Sequence, residues 1–121
     1  MQAKKKMLAV DDDPNNTIIV EELFGEHYDL RTAATGQEAL NTAMDFRPDI
    51  ILLDIMLPDM DGYEVCKLLR EHPSLSHTKI IMVSAKGEIE DRVRGYEAGA
   101  NDYITKPFDE ENILESVAFF L

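Results

Sequence analysis

The chain is poor in basic charge, in cysteine and in long apolar runs, and each shortage excludes a class of function. Its 121 residues carry only 12 Lys+Arg against 24 Asp+Glu, a formal net charge of −12. Binding to nucleic acid or to an anionic membrane rests on basic side chains neutralising phosphates, so this balance argues against both. The one basic run, Lys4-Lys5-Lys6, reads as a solvated N-terminal tail. Behind it, Met7–Val10 is far too short for a signal-peptide core or a membrane span. Cys66 stands alone and cannot form an internal disulfide, which fits a reducing cytoplasm. The histidines His27, His72 and His77 fall between the regular segments and read as surface residues, not metal ligands. There is no G-x-G-x-x-G, no P-loop, no internal repeat, no low-complexity tract and no linker.

What remains is a single acidic domain. The chain is 45% hydrophobic and 30% charged, ordinary for a globular fold, and a domain of this size buries about two-thirds of its unfolded surface. Short apolar runs alternate with longer amphipathic segments. Met7–Val10, Tyr28–Ala33, Ile50–Leu53, Ile80–Val83 and Tyr103–Thr105 have the length and composition of strands. Three of them are apolar without interruption, as expected of parallel strands covered on both faces. Helical spacing joins Ile18, Ile19, Glu22 and Leu23, with Asp13 as cap and Pro14 in the first turn. It recurs in Ala39, Leu40, Ala43 and Met44, and in Val65, Leu68 and Leu69 between Gly62 and Arg70. A fourth helix over Glu88–Ala98 ends at Gly99. A fifth follows Pro107, capped by Asp109, with Ile113, Leu114, Val117 and Leu121 inward.

Strand and helix repeated five times imply an α/β fold, a doubly wound parallel sheet with helices on both faces. Functional groups then gather at the carboxyl ends of the strands. Asp11, Asp12 and Asp13 follow the first strand, Asp54 the third, Ser84 the fourth and Lys106 the fifth. Carboxylates converging on one edge repel unless a cation neutralises them. Oxygen ligands without nearby His or Cys favour Mg²⁺ or Mn²⁺ over zinc. Carboxylates, a divalent cation, a hydroxyl and a lysine make a phosphoryl-transfer set. Asp54 is the candidate nucleophile, because it ends the central strand and precedes a turn rich in Pro58 and Gly62 that leaves it accessible.

These residues also carry a family resemblance. Val10-Asp11-Asp12-Asp13, Leu53-Asp54 through Asp61-Gly62, Val83-Ser84-Ala85-Lys86 and Tyr103-Ile104-Thr105-Lys106-Pro107-Phe108 resemble the motifs of response-regulator receiver domains of two-component signalling. They occur in order across essentially the whole chain. The resemblance implies a flavodoxin-like, five-stranded parallel sheet in order 2-1-3-4-5 with five flanking helices. It implies Asp54 as phosphoacceptor, and Mg²⁺ held by Asp12 directly, by Asp11 largely through water, by Asp54 and by the Met56 backbone carbonyl. Ser84 and Lys106 would each hold a phosphoryl oxygen, and the Lys106-Pro107 bond would be cis. Asp13 suits helix capping better than metal binding.

By the same resemblance the chain is a cytoplasmic signalling protein that catalyses only its own phosphorylation and dephosphorylation. Its phosphoryl donor would be a phosphohistidine on a sensor histidine kinase or phosphotransfer protein. Ser84 and Tyr103 would then switch a surface formed by the fourth helix, fifth strand and fifth helix toward a downstream output domain or protein. Met56 and Lys86 occupy positions that tune phosphate lifetime. An apolar Met56 cannot orient an attacking water, so slow loss is expected.

An enzymatic alternative is a phosphohydrolase of the haloacid-dehalogenase type, with Asp11 as nucleophile in a D-x-D. Pro14 and the short chain weigh against it. The absence of a Ser/Thr-rich loop after the first strand argues against an electron carrier, and the complete Asp54, Ser84 and Lys106 set against an inert interaction module. The chain stops in Phe119-Phe120-Leu121, where Phe119 points away from the inward stripe. It could serve a partner, a phosphorylation-dependent homodimer or a continuing helix, so a stand-alone receiver and a piece of a longer regulator or hybrid kinase both stay open.

Overall fold

The computed structural model describes residues 4–121. Elements alternate as β1 (Lys5–Val10), α1 (Pro14–Phe24), β2 (Tyr28–Ala33), α2 (Gly36–Phe46) and β3 (Ile50–Asp54), then α3 (Gly62–Arg70), a 3-10 turn (Pro73–Leu75) and β4 (Lys79–Ser84), then α4 (Ile89–Ala98), β5 (Asp102–Thr105) and α5 (Glu110–Phe120). The strands form one sheet in the order β2-β1-β3-β4-β5, every pairing parallel. This is the architecture expected from the sequence.

Side chains alternate across the strands, so each continuous apolar run supplies two cores at once. Leu8, Val10, Ile51, Leu53, Ile80 and Met82 meet α2, α3 and α4 through Ala39, Ala43, Val65, Leu69 and Ala98. Met7, Ala9, Ile50, Leu52, Ile81 and Val83 meet α1 and α5 through Val20, Phe24, Ile113 and Val117. Burying both faces makes the central strands rigid, and their carboxyl ends are therefore fixed points for whatever follows them.

Helix starts are set by local chemistry. The Asp13 carboxylate accepts the Asn15 N–H at 3.0 Å, and Pro14 follows. Asp61 and Asp109 cap α3 and α5 in the same manner, through the N–H groups of Glu64 and Glu111. Gly99 ends α4 at a φ of 112°, a left-handed conformation that glycine adopts without strain.

Three expectations need correction. Lys5 and Lys6 are not a tail: they open β1, paired with Tyr28 and Asp29, because strand hydrogen bonding is indifferent to exposed lysines on an outer segment. Leu114 is not inward but 42% exposed. The stripe of α5 runs from Ile113 to Val117 and on to Phe120 and Leu121, which leaves Leu114 on its margin, about 100° round the helix from Ile113. Asp54 and Ser84 are the last residues of β3 and β4 rather than the first beyond them. Phe119, as expected, faces outward at 81% exposure, and no helix among the described residues is long and apolar enough to cross a membrane.

Candidate functional site

The parallel register brings the strand ends level. Val10 lies opposite Leu53, Asp54 opposite Val83, and Ser84 opposite Thr105. Residues just beyond β1 therefore meet the last residue of β3. One carboxylate oxygen from each of Asp11, Asp12 and Asp54 lies within 4.8 Å of the others. Lys106, directly after β5, reaches across this edge, its Nζ 2.7 Å from Asp11 Oδ2 and 3.5 Å from Asp54 Oδ2. The Lys106 N–H is anchored on the Ser84 carbonyl at 2.7 Å, and the Lys106-Pro107 bond is cis.

The site is closed to water at its floor and open at its rim, where Asp12 is exposed and Asp11 half-buried. Asp54 is 6% exposed and Ser84 fully buried. Burial is the main cause raising the Asp54 pKa above the usual carboxylate value of 3.8; Lys106 opposes it and Asp11 adds to it. Three carboxylates against one ammonium leave an excess of negative charge in a partly desolvated cleft. All donors in the cluster are hard carboxylate oxygens, with no nitrogen or sulfur ligand among them. Such a set suits a divalent cation of the Mg²⁺ type.

The other predicted residues surround this cluster. The Met56 N–H donates to Asp54 Oδ1 at 3.3 Å, while its side chain is 59% exposed beside the cleft. Asp13 stays outside the cluster and caps α1, and its N–H donates to Asp11 Oδ1 at 2.9 Å. Ser84 Oγ accepts the Lys86 N–H at 3.1 Å. Tyr103 is 3% exposed, and its hydroxyl donates to the Lys86 carbonyl at 2.5 Å. The Lys86 peptide groups therefore touch both candidate switch residues. The three histidines are exposed, and Cys66 is buried against the Ala98 carbonyl.

Several contributors were not visible in the sequence. Arg92 on α4 donates to the Tyr103 carbonyl at 3.3 Å and to Thr105 Oγ1 at 2.8 Å, tying the helix to the edge strand. Gly95 gives the Tyr103 ring its space: a Cβ there would lie 2.9 Å from Tyr103 Cδ2. Gly62 brings α3 onto the backbone of Asp54 and Ile55. No local pattern marks Arg92 or Gly95, because their partners lie on other elements, and the turn that contains Gly62 does not reveal what the glycine packs against.

Fold and site together define a doubly wound domain with an acidic, lysine-bridged cleft at its strand ends. A family model described as response regulator receiver domain matches residues 7–118, and the chain belongs to that family. It is 46% identical over 118 residues to the alkaline phosphatase synthesis transcriptional regulatory protein PhoP of Bacillus subtilis, covering 97% of this chain and 48% of that protein. It is 39% identical over 119 residues to the DNA-binding dual master transcriptional regulator RpaA of Synechocystis sp., covering 96% and 48% respectively. Among solved structures, chemotaxis protein CheY4 of Vibrio cholerae superposes with a TM-score of 0.92 at 33% identity, covering 98% of this chain and all of that one. The chain spans about half the length of these two curated relatives. Receiver domains of response regulators are signalling modules, and the phosphohydrolase alternative receives no support.

Proposed function

We propose that this domain accepts a phosphoryl group on Asp54 from a phosphohistidine of a sensor histidine kinase or phosphotransfer protein, and passes the signal through its α4-β5-α5 surface. The observation that carries this reading is the convergence of Asp11, Asp12, Asp54 and Lys106 on one strand-end cleft beside Ser84. In the transfer, an Asp54 carboxylate oxygen forms the new O–P bond as the P–N bond to the donor imidazole breaks. The imidazole nitrogen keeps the bonding electron pair and takes up a proton.

Asp11, Asp12, Asp54 and the Met56 carbonyl would hold Mg²⁺, which when bound supplies positive charge to the carboxylates and phosphoryl oxygens. Lys106 holds the Asp54 carboxylate and is within reach of a phosphoryl oxygen. The Ser84 hydroxyl can turn from the Lys86 N–H to donate to a second oxygen. That turn disturbs the Lys86 peptide, on whose carbonyl the Tyr103 hydroxyl rests. A phosphoryl group adds about −1.5 to −2 of charge at this point, enough to bias a two-state arrangement of Lys86, Tyr103 and the adjoining α4. The names of PhoP and RpaA describe transcriptional regulators, so the output is a separate domain or protein, and a homodimer formed on phosphorylation is one means of reaching it.

Transfer from a histidine-phosphorylated kinase core, followed by phosphoprotein gels with and without EDTA, tests the proposal. Label should pass to the wild-type chain in Mg²⁺ and fail to pass to Asp54→Asn. Transfer to Asp54→Asn at the wild-type rate would refute the assignment.

A further inference from the structure

Beyond the carboxylate cluster, one acidic side chain has both oxygens committed to a neighbouring helix. Asp59, exposed in the loop between β3 and α3, accepts the Gly36 N–H at 2.7 Å through Oδ1 and the Gln37 N–H at 2.9 Å through Oδ2. These are the first two residues of α2. A helix leaves its leading N–H groups without intrahelical acceptors. The local cap, Thr35 Oγ1, reaches only the Glu38 N–H, at 3.1 Å. Asp59 supplies what Thr35 cannot, from 22 and 23 residues away. The same two donors hold its carboxyl below the usual range.

An apolar contact reinforces the polar one. A Cβ at Gly36 would lie 2.3 Å from Met60 Cγ and 2.9 Å from its Sδ, so only a glycine lets Met60 settle on the start of α2. At its base the loop is closed by the Met56–Asp61 bridge and by the Gly62 N–H on the Ile55 carbonyl at 2.7 Å. From that base the Met56 N–H reaches Asp54. The loop is therefore fixed at its base beside Asp54 and at its tip on α2.

We infer that Asp59 is a positioning residue for cation binding: it anchors the loop that carries Met56, so that the Met56 carbonyl is held beside the carboxylate cluster before the cation arrives. This rests on the Mg²⁺ reading above. A loop held only at its base would lose freedom each time its carbonyl was engaged, and that loss subtracts from affinity.

The test is calorimetric Mg²⁺ titration of the full chain, together with metal-free melting and amide exchange. Asp59→Ala should weaken Mg²⁺ binding about tenfold and speed exchange of the loop amides in the metal-free protein. Asp59→Asn keeps one acceptor oxygen and should fall between. Thr35→Ala removes the cap of the same helix but leaves Asp59 in place. It should lower the melting temperature and leave Mg²⁺ affinity unchanged. Wild-type affinity in Asp59→Ala would overturn the role, and so would an equal loss in Thr35→Ala, since stability of α2 alone would then explain both. A wild-type chain that binds no Mg²⁺ would instead overturn the cation reading itself.

Discussion

Replacing Gly62 with alanine tests how firmly α3 fixes the phosphoacceptor. A Cβ at this position would lie 2.5 Å from the Asp54 carbonyl oxygen and 2.6 Å from Ile55 Cα. Both are backbone atoms at the end of a buried strand, and neither can swing aside as a side chain could. The Gly62 N–H meanwhile holds the Ile55 carbonyl at 2.7 Å, so the new methyl pushes apart what the hydrogen bond holds together. Overpacking a closed site costs about 1–3 kcal/mol, and immovable backbone puts this case at or above the upper end. Alanine recovers at most about 1 kcal/mol through its helix propensity. The net loss is about 2 kcal/mol, or a fall of about 8 °C in melting temperature for a domain of this length. Urea denaturation followed by circular dichroism reads the stability. Because the shift falls on Asp54, the same melts repeated in Mg²⁺ should show a smaller stabilisation than wild type. A Gly62→Ala chain within about 0.5 kcal/mol of wild type, the ordinary range for an inconsequential substitution, with an unchanged Mg²⁺ response, would refute the close-packing account.

Four further outcomes are expected. The raised Asp54 carboxyl favours the fold when protonated, so without divalent cations stability should fall as pH rises from 3.8 through the raised value. Asp54→Asn should lack that component, and identical pH slopes in urea titrations would contradict it. Burial pushes the Cys66 thiol up to about 11 from 9.0, so its contribution is intact below pH 9.0 and is lost as pH climbs through about 11. At neutral pH a thiol reagent should react no faster than the protein unfolds, and rapid native-state labelling would count against this. Arg70 bonds the carbonyls of Gly99 at 3.0 Å and Thr78 at 2.7 Å, and Asn101 Oδ1 at 2.8 Å. Arg70→Lys cannot reproduce that fork and should cost about 2–3 kcal/mol, whereas a loss below about 0.5 kcal/mol in denaturant titration would deny it a structural role. With Met56 and Lys86 beside the cleft, acyl phosphate should persist for minutes or longer in Mg²⁺ buffer, and a half-life of seconds by phosphate release would contradict the shielding.

Much of the fold was legible because its signals are local. Uninterrupted apolar runs such as Ile50-Ile51-Leu52-Leu53, too short for helices between their turn residues, read as strands covered on both faces, and Asp13-Pro14, Asp109 and Gly99 mark helix ends through chemistry confined to a few residues. Asp11, Asp12, Asp54, Ser84 and Lys106 were legible once parallel strands were granted, since all parallel strands end on the same side. What the sequence leaves illegible depends on contacts between elements. Asp59 reads as one more acid in a turn until α2 is seen against it. Arg92 reads as a solvated charge until β5 supplies Thr105 and the Tyr103 carbonyl. The charge of Lys5 and Lys6 suggests a solvated tail and hides the pairing that β2 offers an adjacent strand. Leu114 fits an inward stripe by spacing, but spacing alone does not fix where the edge of that stripe meets solvent.

The central claim is that Asp54, held beside Lys106, Asp11 and Asp12, is the residue that takes the phosphoryl group. Incubating the chain with a small phosphoramidate donor and Mg²⁺, then mapping the modified aspartate by tandem mass spectrometry, tests it directly. The expected result is a single phosphorylated site at Asp54, absent when Mg²⁺ is chelated. Label on Asp11, or a modified chain whose Asp54 peptide is unlabelled, would contradict it.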